Sequence, residues 1–216
     1  SDRIRVQKMS GDGDLQLEHV LQFLNPPSGW WNYTGNIIDA GAGIEAISTS
    51  NSPINDIITP LVDWQFYTSG SDSLTLSAIT SKFLWIHGPD DGNVKTVILS
   101  GALNAESLKL GWVSNTGSGV LTLADGTTNT IGSITDGSPL NSDNAITFGG
   151  TTTITNAFDT SNIKTINSSG IIIVPSVTID STGTNNTTWT LDEDTTISGD
   201  FTIQETLGTT TIDTNG

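Results

Sequence analysis

Chemistry at a protein site needs ionisable or nucleophilic side chains in a workable spacing, and this chain offers few. It has two imidazoles, His19 and His87. Either could serve a Ser-His-Asp triad, but the Gly-x-Ser-x-Gly elbow that presents such a serine is absent. His87 closes an apolar run just before a turn and reads as structural. Three acidic groups could offer oxygens to calcium: Asp12, Asp14 and Glu18; Asp90, Asp91 and Asn93; Asp192, Glu193 and Asp194. Calcium takes about 6–8 oxygen ligands. None of the three completes an Asp-x-Asp-x-Asp-Gly loop with its distant Glu. The second group reads as a turn and the third, the best of them, as a solvated bend. Paired carboxylates could hydrolyse glycosides, but with 23 acidic residues any pair could be nominated.

Asn-x-Ser/Thr sequons stand at Asn32, Asn167, Asn185 and Asn186, as chance gives in a chain rich in Asn and Thr. Trp30-Trp31-Asn32-Tyr33 could stack on a sugar. The simpler reading is an aromatic anchor between an N-terminal arm and the domain after it. No catalytic, cofactor-binding or metal-binding residue is assigned, no cofactor is expected, and the chain is expected not to be an enzyme.

Composition narrows the partners. The net charge is −16, with 7 basic residues against 23 acidic ones. Phosphate backbones and anionic membranes are bound by Lys and Arg clusters. Here Arg3, Arg5 and Lys8 sit at the start, and past Lys109 only Lys164 is basic. Nucleic acid is therefore not an expected partner. No run reaches the length of a membrane span, so no membrane insertion is expected. The chain has no cysteine, which excludes disulfide scaffolds and thiol chemistry. Ser1 to Lys8 lack the apolar region of a signal peptide. The expectation is a protein processed beforehand, or made in the cytosol and assembled without secretion.

The elements that would position any site are strands. Hydrophobic residues make up only 34% of the chain and charged ones 14%. Thr, Ser, Asn and Gly fill the gap, and Thr, Ile and Val suit a pleated surface. Three regions differ in texture. Residues 1–35 form an arm. In it Leu17, Val20, Leu21 and Leu24 have helical spacing, Asp14 is a candidate N-cap and Pro26-Pro27 a stop, predicting one short helix. Residues 36–118 read as a compact, sandwich-like β domain holding the principal core. There Ser81–His87 and Val94–Leu99, joined by Gly88-Pro89-Asp90-Asp91-Gly92-Asn93, predict a hairpin. Residues 119–216 alternate Thr or Ser with Ile, Leu or Val in short runs separated by turn residues. Such runs suit a β-solenoid or fibrous β shaft, in which each turn stacks on the next.

Burial arithmetic gives that region a problem. Ordering a backbone costs on the order of 1–2 kcal/mol per residue, and burying an Ile or Leu returns about 2 kcal/mol. A single thin layer is marginal. Copies of the chain, or stacked coils, would supply the missing contacts, and a homotrimer is the expected form.

The segment Asp194-Thr195-Thr196-Ile197-Ser198-Gly199-Asp200-Phe201-Thr202-Ile203, continuing to Gly208-Thr209-Thr210-Thr211-Ile212-Asp213, resembles a phrase of tailed-bacteriophage fibre and virion structural proteins. The block around Phe83-Leu84-Trp85-Ile86 is similar to small β domains of phage virion proteins. The resemblance implies a fibre or appendage component at the virion surface. It would anchor to other virion proteins through its N-terminal part and serve attachment to a host glycan or receptor. Two other readings are open: a cell-surface adhesin or filament subunit, and a polysaccharide depolymerase of β-helix type.

Overall fold

The structure, a computed structural model, describes residues 2–39, 41–68, 70–88, 92–112, 117–136, 143–159, 163–181, 186–191, 194–205 and 209–214. The early strands are β1 (Arg3–Val6), β2 (Met9–Gly11), β3 (Leu15–Leu17), β4 (Val20–Leu24), β5 (Trp31–Tyr33), β6 (Ile37–Asp39) and β7 (Ile44–Ile47). Next come β8 (Ile57–Tyr67), β9 (Asp72–Leu76), β10 (Ile79–His87), β11 (Val94–Leu99), β12 (Leu103–Leu110), β13 (Ser118–Leu123) and β14 (Thr128–Asp136). Then follow β15 (Asn144–Phe148), β16 (Thr151–Asp159), β17 (Ile163–Ser168), β18 (Ile171–Val174) and β19 (Val177–Ser181). The last are β20 (Thr187–Leu191), β21 (Thr195–Ile197), β22 (Phe201–Glu205) and β23 (Thr210–Asp213).

Every strand pair among them is parallel, and neighbours in a sheet lie one coil apart in sequence. The result is a parallel β-solenoid of about 7 turns. A long 12-stranded sheet runs β1-β4-β7-β8-β10-β12-β14-β16-β18-β21, with β19 and β22 branching from β16. A 7-stranded sheet, from β9 through β11, β13, β15, β17 and β20 to β23, closes the other side. The long sheet passes residues 35–36 and 118–119 unbroken, so the sandwich-like region expected at 36–118 is built from the same coils.

In-register stacking turns alternation into columns. One runs Ile4, Leu21, Ile44, Trp64, Leu84, Leu108, Ile134, Phe158, Val177, Phe201 across the long sheet. Another runs Leu74, Val97, Leu121, Ile146, Ile166, Trp189, Ile212 across the second. The two sheets share one core. Within the 119–216 region Ile131, Ile134, Ile146, Phe148, Ile163, Ile166 and Ile172 are buried inside a single chain. Stacked coils therefore supply the contacts that a thin layer lacked, and burial alone does not call for a trimer.

Two expectations are corrected. The described residues contain no helix. The segment Leu15–Leu24 is β3 and β4, broken by a bend at Glu18–His19. Leu15 pairs with Ile37 and Leu21 with Ile44, and Asp14 accepts a bond from Asn36 Nδ2 at 2.9 Å instead of capping a helix. A ten-residue helix is marginal by itself, whereas strand edges one coil away offer both backbone bonds and a core. The hairpin does not form either. β10 pairs with β8 and β12, and β11 with β9 and β13, in different sheets. Gly88 and Gly92-Asn93 belong to the arc joining the sheets, and residues 89–91 lie outside the described ones.

Midway, the long sheet bends. The register shifts between Ser81 and Phe83 and again between Ile131 and Ser133. Pro60 occupies the bend on β8, where a missing N–H is tolerated. On β14 the bend carries Gly132, where a Cβ would lie 2.1 Å from the Glu106 carbonyl oxygen. In later coils the strand divides into β18 and β19 around Pro175-Ser176. The bend creases the outer face, which carries polar and aromatic side chains.

Candidate functional site

Outward-facing residues of the long sheet also form a column: Arg5, Gln22, Glu45, Gln65, Trp85, Lys109, Thr135. Its members bond to one another. Arg5 Nε donates to Gln22 Oε1 at 3.0 Å, and Gln22 Nε2 donates to Glu45 Oε2 at 2.8 Å. Arg3 holds both carboxylate oxygens of Glu45, at 3.1 and 3.2 Å, and Tyr67 donates to the same group at 3.4 Å. Burial pushes the Glu45 carboxyl up, but the bonds from Arg3, Gln22 and Tyr67 outweigh it and hold the group below the ordinary range. Burial, helped by the Glu45 charge, pushes the Tyr67 phenol up to about 12.

His87 is 1% exposed. It lies flat on Tyr67, centroids 5.1 Å apart, and tilts against Trp85 and Trp112 at 4.7 and 4.4 Å. Gln65 Nε2 lies 2.6 Å from His87 Nε2. An amide nitrogen only donates, so His87 Nε2 accepts and the ring is neutral. Burial lowers its pKa to about 4. Trp85 and Trp112 are stacked in parallel, 4.8 Å between centroids, and Trp85 Nε1 donates to the Gly111 carbonyl at 2.7 Å. Lys109 Nζ sits 4.8 Å from the Trp85 ring centre. Both indoles are only half-buried, whereas Trp30, Trp31, Trp64 and Trp189 are buried.

Beside this strip lies a cleft of about 180 Å³ lined by Glu45, Asp63, Gln65, Phe83 and Trp85, with Gly43 at its edge. Gly43 has φ +76°, and a Cβ there would come 3.1 Å from the Asp63 carbonyl oxygen. A larger groove, about 600 Å³, follows the bend over Thr80, Asn104, Glu106, Thr130 and Asn156. It offers hydrogen-bonding groups but no ring to stack on. The smaller cleft has the more specific chemistry, because aromatic walls, an amide and carboxylates converge there. Glu45 is ionised and fully engaged, and His87 Nε2 is occupied. Glu45, at the wall of the cleft, and His87 are thereby fixed in orientation.

The sequence candidates are scattered. His19 is exposed at a bend, far along the chain from the buried His87. Trp30, Trp31 and Tyr33 are core: Trp30 packs on Phe23 at 4.8 Å, Trp31 on Trp64 at 5.1 Å and on Tyr33 at 5.9 Å. Asp12, Asp14 and Glu18 are exposed. Asp90, Asp91, Asp192, Glu193 and Asn185 lie outside the described residues. Among the described residues no three His, Asp or Glu side chains converge as a metal site would require. Asn32 accepts from Asn55 Nδ2 at 2.8 Å, Asn186 accepts from the Thr209 N–H at 3.0 Å, and Asn167 lies half-buried on β17. Sequence reasoning missed the Glu45–Gln65–Trp85–Lys109 column, whose members are joined only by the coil repeat. It also missed Lys95, fully buried, whose Nζ donates to the Thr49 carbonyl at 2.7 Å and to Asp72. Burial lowers the pKa of that lysine, and the Asp72 carboxylate opposes the shift.

The class that this geometry defines is a single-chain parallel β-solenoid with one decorated outer face. Comparison with protein-family models, with curated proteins and with solved structures found no match.

Proposed function

We propose that the chain is a non-enzymatic structural protein of a virion surface, a fibre or appendage component that self-assembles and attaches through its N-terminal coils. One observation carries this reading. Ile38, Ile58 and Leu61 are 53%, 55% and 58% exposed. With Pro60 and Asp14 they line a lateral groove of about 300 Å³. Clustered apolar exposure of this kind marks an interaction surface. It lies next to the N-terminal arm, which contributes Asp14 to its lining. The net charge of −16 discourages indiscriminate lateral association. The assembly we propose is the homotrimer expected from the sequence.

Light scattering on the purified chain tests this. The expected mass is three times the 22.7 kDa of one chain. Ile58→Asp combined with Leu61→Asp is expected to return it to a monomer with an unchanged β-sheet spectrum. A stable wild-type monomer at micromolar concentration would overturn the proposal.

A further inference from the structure

We infer that the cleft between Glu45, Gln65, Phe83 and Trp85 binds a neutral saccharide, with the indole and phenyl rings as its stacking walls. The inference concerns a different face from the lateral patch and holds whatever the state of assembly.

Four observations lead to it. First, Phe83 and Trp85 stand at alternate positions of β10, so both point outward, with ring centroids 6.4 Å apart and planes inclined at 50°. Each presents an apolar ring edge or face to the cleft, as the C–H faces of a pyranose require. Second, the Trp85 indole is fixed in place. Lys109 and Trp112 back it from the following coil, and its N–H is satisfied by Gly111. The cleft draws on β7, β8 and β10 instead, on the side of the preceding coils. A ring already held in place loses little freedom when a ligand packs against it. Third, hydrogen-bonding groups line the same space: the Gln65 amide and the carboxylate of Asp63. Hydroxyl groups donate to such oxygens. Fourth, Glu45, Gln65 and Trp85 are register partners in successive coils. Strands lie ~4.8 Å apart, close to the length of one sugar unit, so a short oligosaccharide lying along the solenoid axis would meet one of these residues per coil.

Charge selects the class. Glu45 is already neutralised by Arg3, and Lys109 is engaged on the indole. The cleft therefore has no spare cation for an acidic sugar, and the chain as a whole repels polyanions. Gly43 keeps the edge open, since a side chain there would crowd Asp63.

The test uses the intact chain and soluble neutral gluco-, manno- and galacto-oligosaccharides, with polygalacturonate as the anionic comparison. Tryptophan fluorescence reads binding, because Trp85 and Trp112 are the half-buried indoles among the described residues; calorimetry gives the affinity. At least one neutral oligosaccharide is expected to give a saturable change. Trp85→Ala is expected to weaken it by roughly tenfold or more, Trp85→Phe to recover part of the loss, and Lys82→Ala, exposed on the same strand, to leave it unchanged. Should Trp85→Ala fail to fold, Phe83→Ala is the substitute, with the same expected direction. No saturable change with any neutral sugar, equal binding by the Trp85 and Phe83 variants, or preference for polygalacturonate would overturn the inference.

Discussion

His87 is held neutral by three rings and a Gln65 amide, and that choice couples stability to pH. Its ordinary pKa of about 6.5 falls to about 4 in the folded chain. The unfolded chain therefore takes up a proton first as pH drops. The contribution to stability is fully present above about pH 6.5, is lost progressively as pH falls towards 4, and stays lost below that. The shift corresponds to about 3 kcal/mol. Urea unfolding of wild type and His87→Gln, compared at pH 7 and pH 4, is expected to show the wild type losing about that much relative to the variant; parallel loss in both would contradict it. At this scale the sequence was only partly legible. His87 was visible as a strand-end residue before a turn, and Trp30-Trp31 as a core anchor, because local apolar context marks both. Lys95 was not. A lysine between Val94 and Thr96 reads as a solvated strand residue, and its partners Asp72 and Thr49 arrive from other coils.

Elements here are strands joined by turns that stack as closely as the strands do. Asn129 shows how a turn is held. It is fully buried; its Oδ1 accepts from the Leu103 N–H at 2.9 Å. Its Nδ2 lies within bonding range of Thr127 Oγ1, the Gly149 carbonyl and Thr152 Oγ1, at 3.0, 3.2 and 3.2 Å. One amide thus ties three coils together. Asn129→Ala leaves a buried N–H and a buried carbonyl without this partner, and is expected to cost about 2–3 kcal/mol, read as a fall in thermal midpoint; a change within the range of a surface mutation would contradict the assignment. Short Thr/Ile runs announced the strands of the second half correctly, because alternation is a local property. Leu15–Leu24 and the 81–99 pair were misread for the opposite reason. Spacing at i, i+3 and i+4 also arises from two short strands across a bend, and two strands joined by a turn can as well stack on other coils as on each other.

The whole molecule is a stack whose columns decide everything outside the local pattern. The core column from Leu21 to Val177, the outer row from Arg5 to Thr135 and the saccharide cleft exist only if each coil sits in register on the last. The repeat length varies: Ala78 bonds to Asp56, 22 residues away, and Ser100 to Leu76, 24 away. That looseness hid the period from a reading of the sequence, and with it the assembly of Glu45, Gln65 and Trp85. Register is open to one direct measurement, because the chain contains no cysteine. Thr75 and Ile98 face outward on β9 and β11 and are register partners. Parallel strands ~4.8 Å apart are within disulfide reach, whereas a diagonal partner two residues along lies ~7–8 Å away and is poorly placed. Oxidation of Thr75→Cys/Ile98→Cys is expected to give an intramolecular disulfide in nearly every chain, and Thr75→Cys/Thr96→Cys little or none. Equal cross-linking of the two pairs, or none in the first, would show that the coils do not stack in this register.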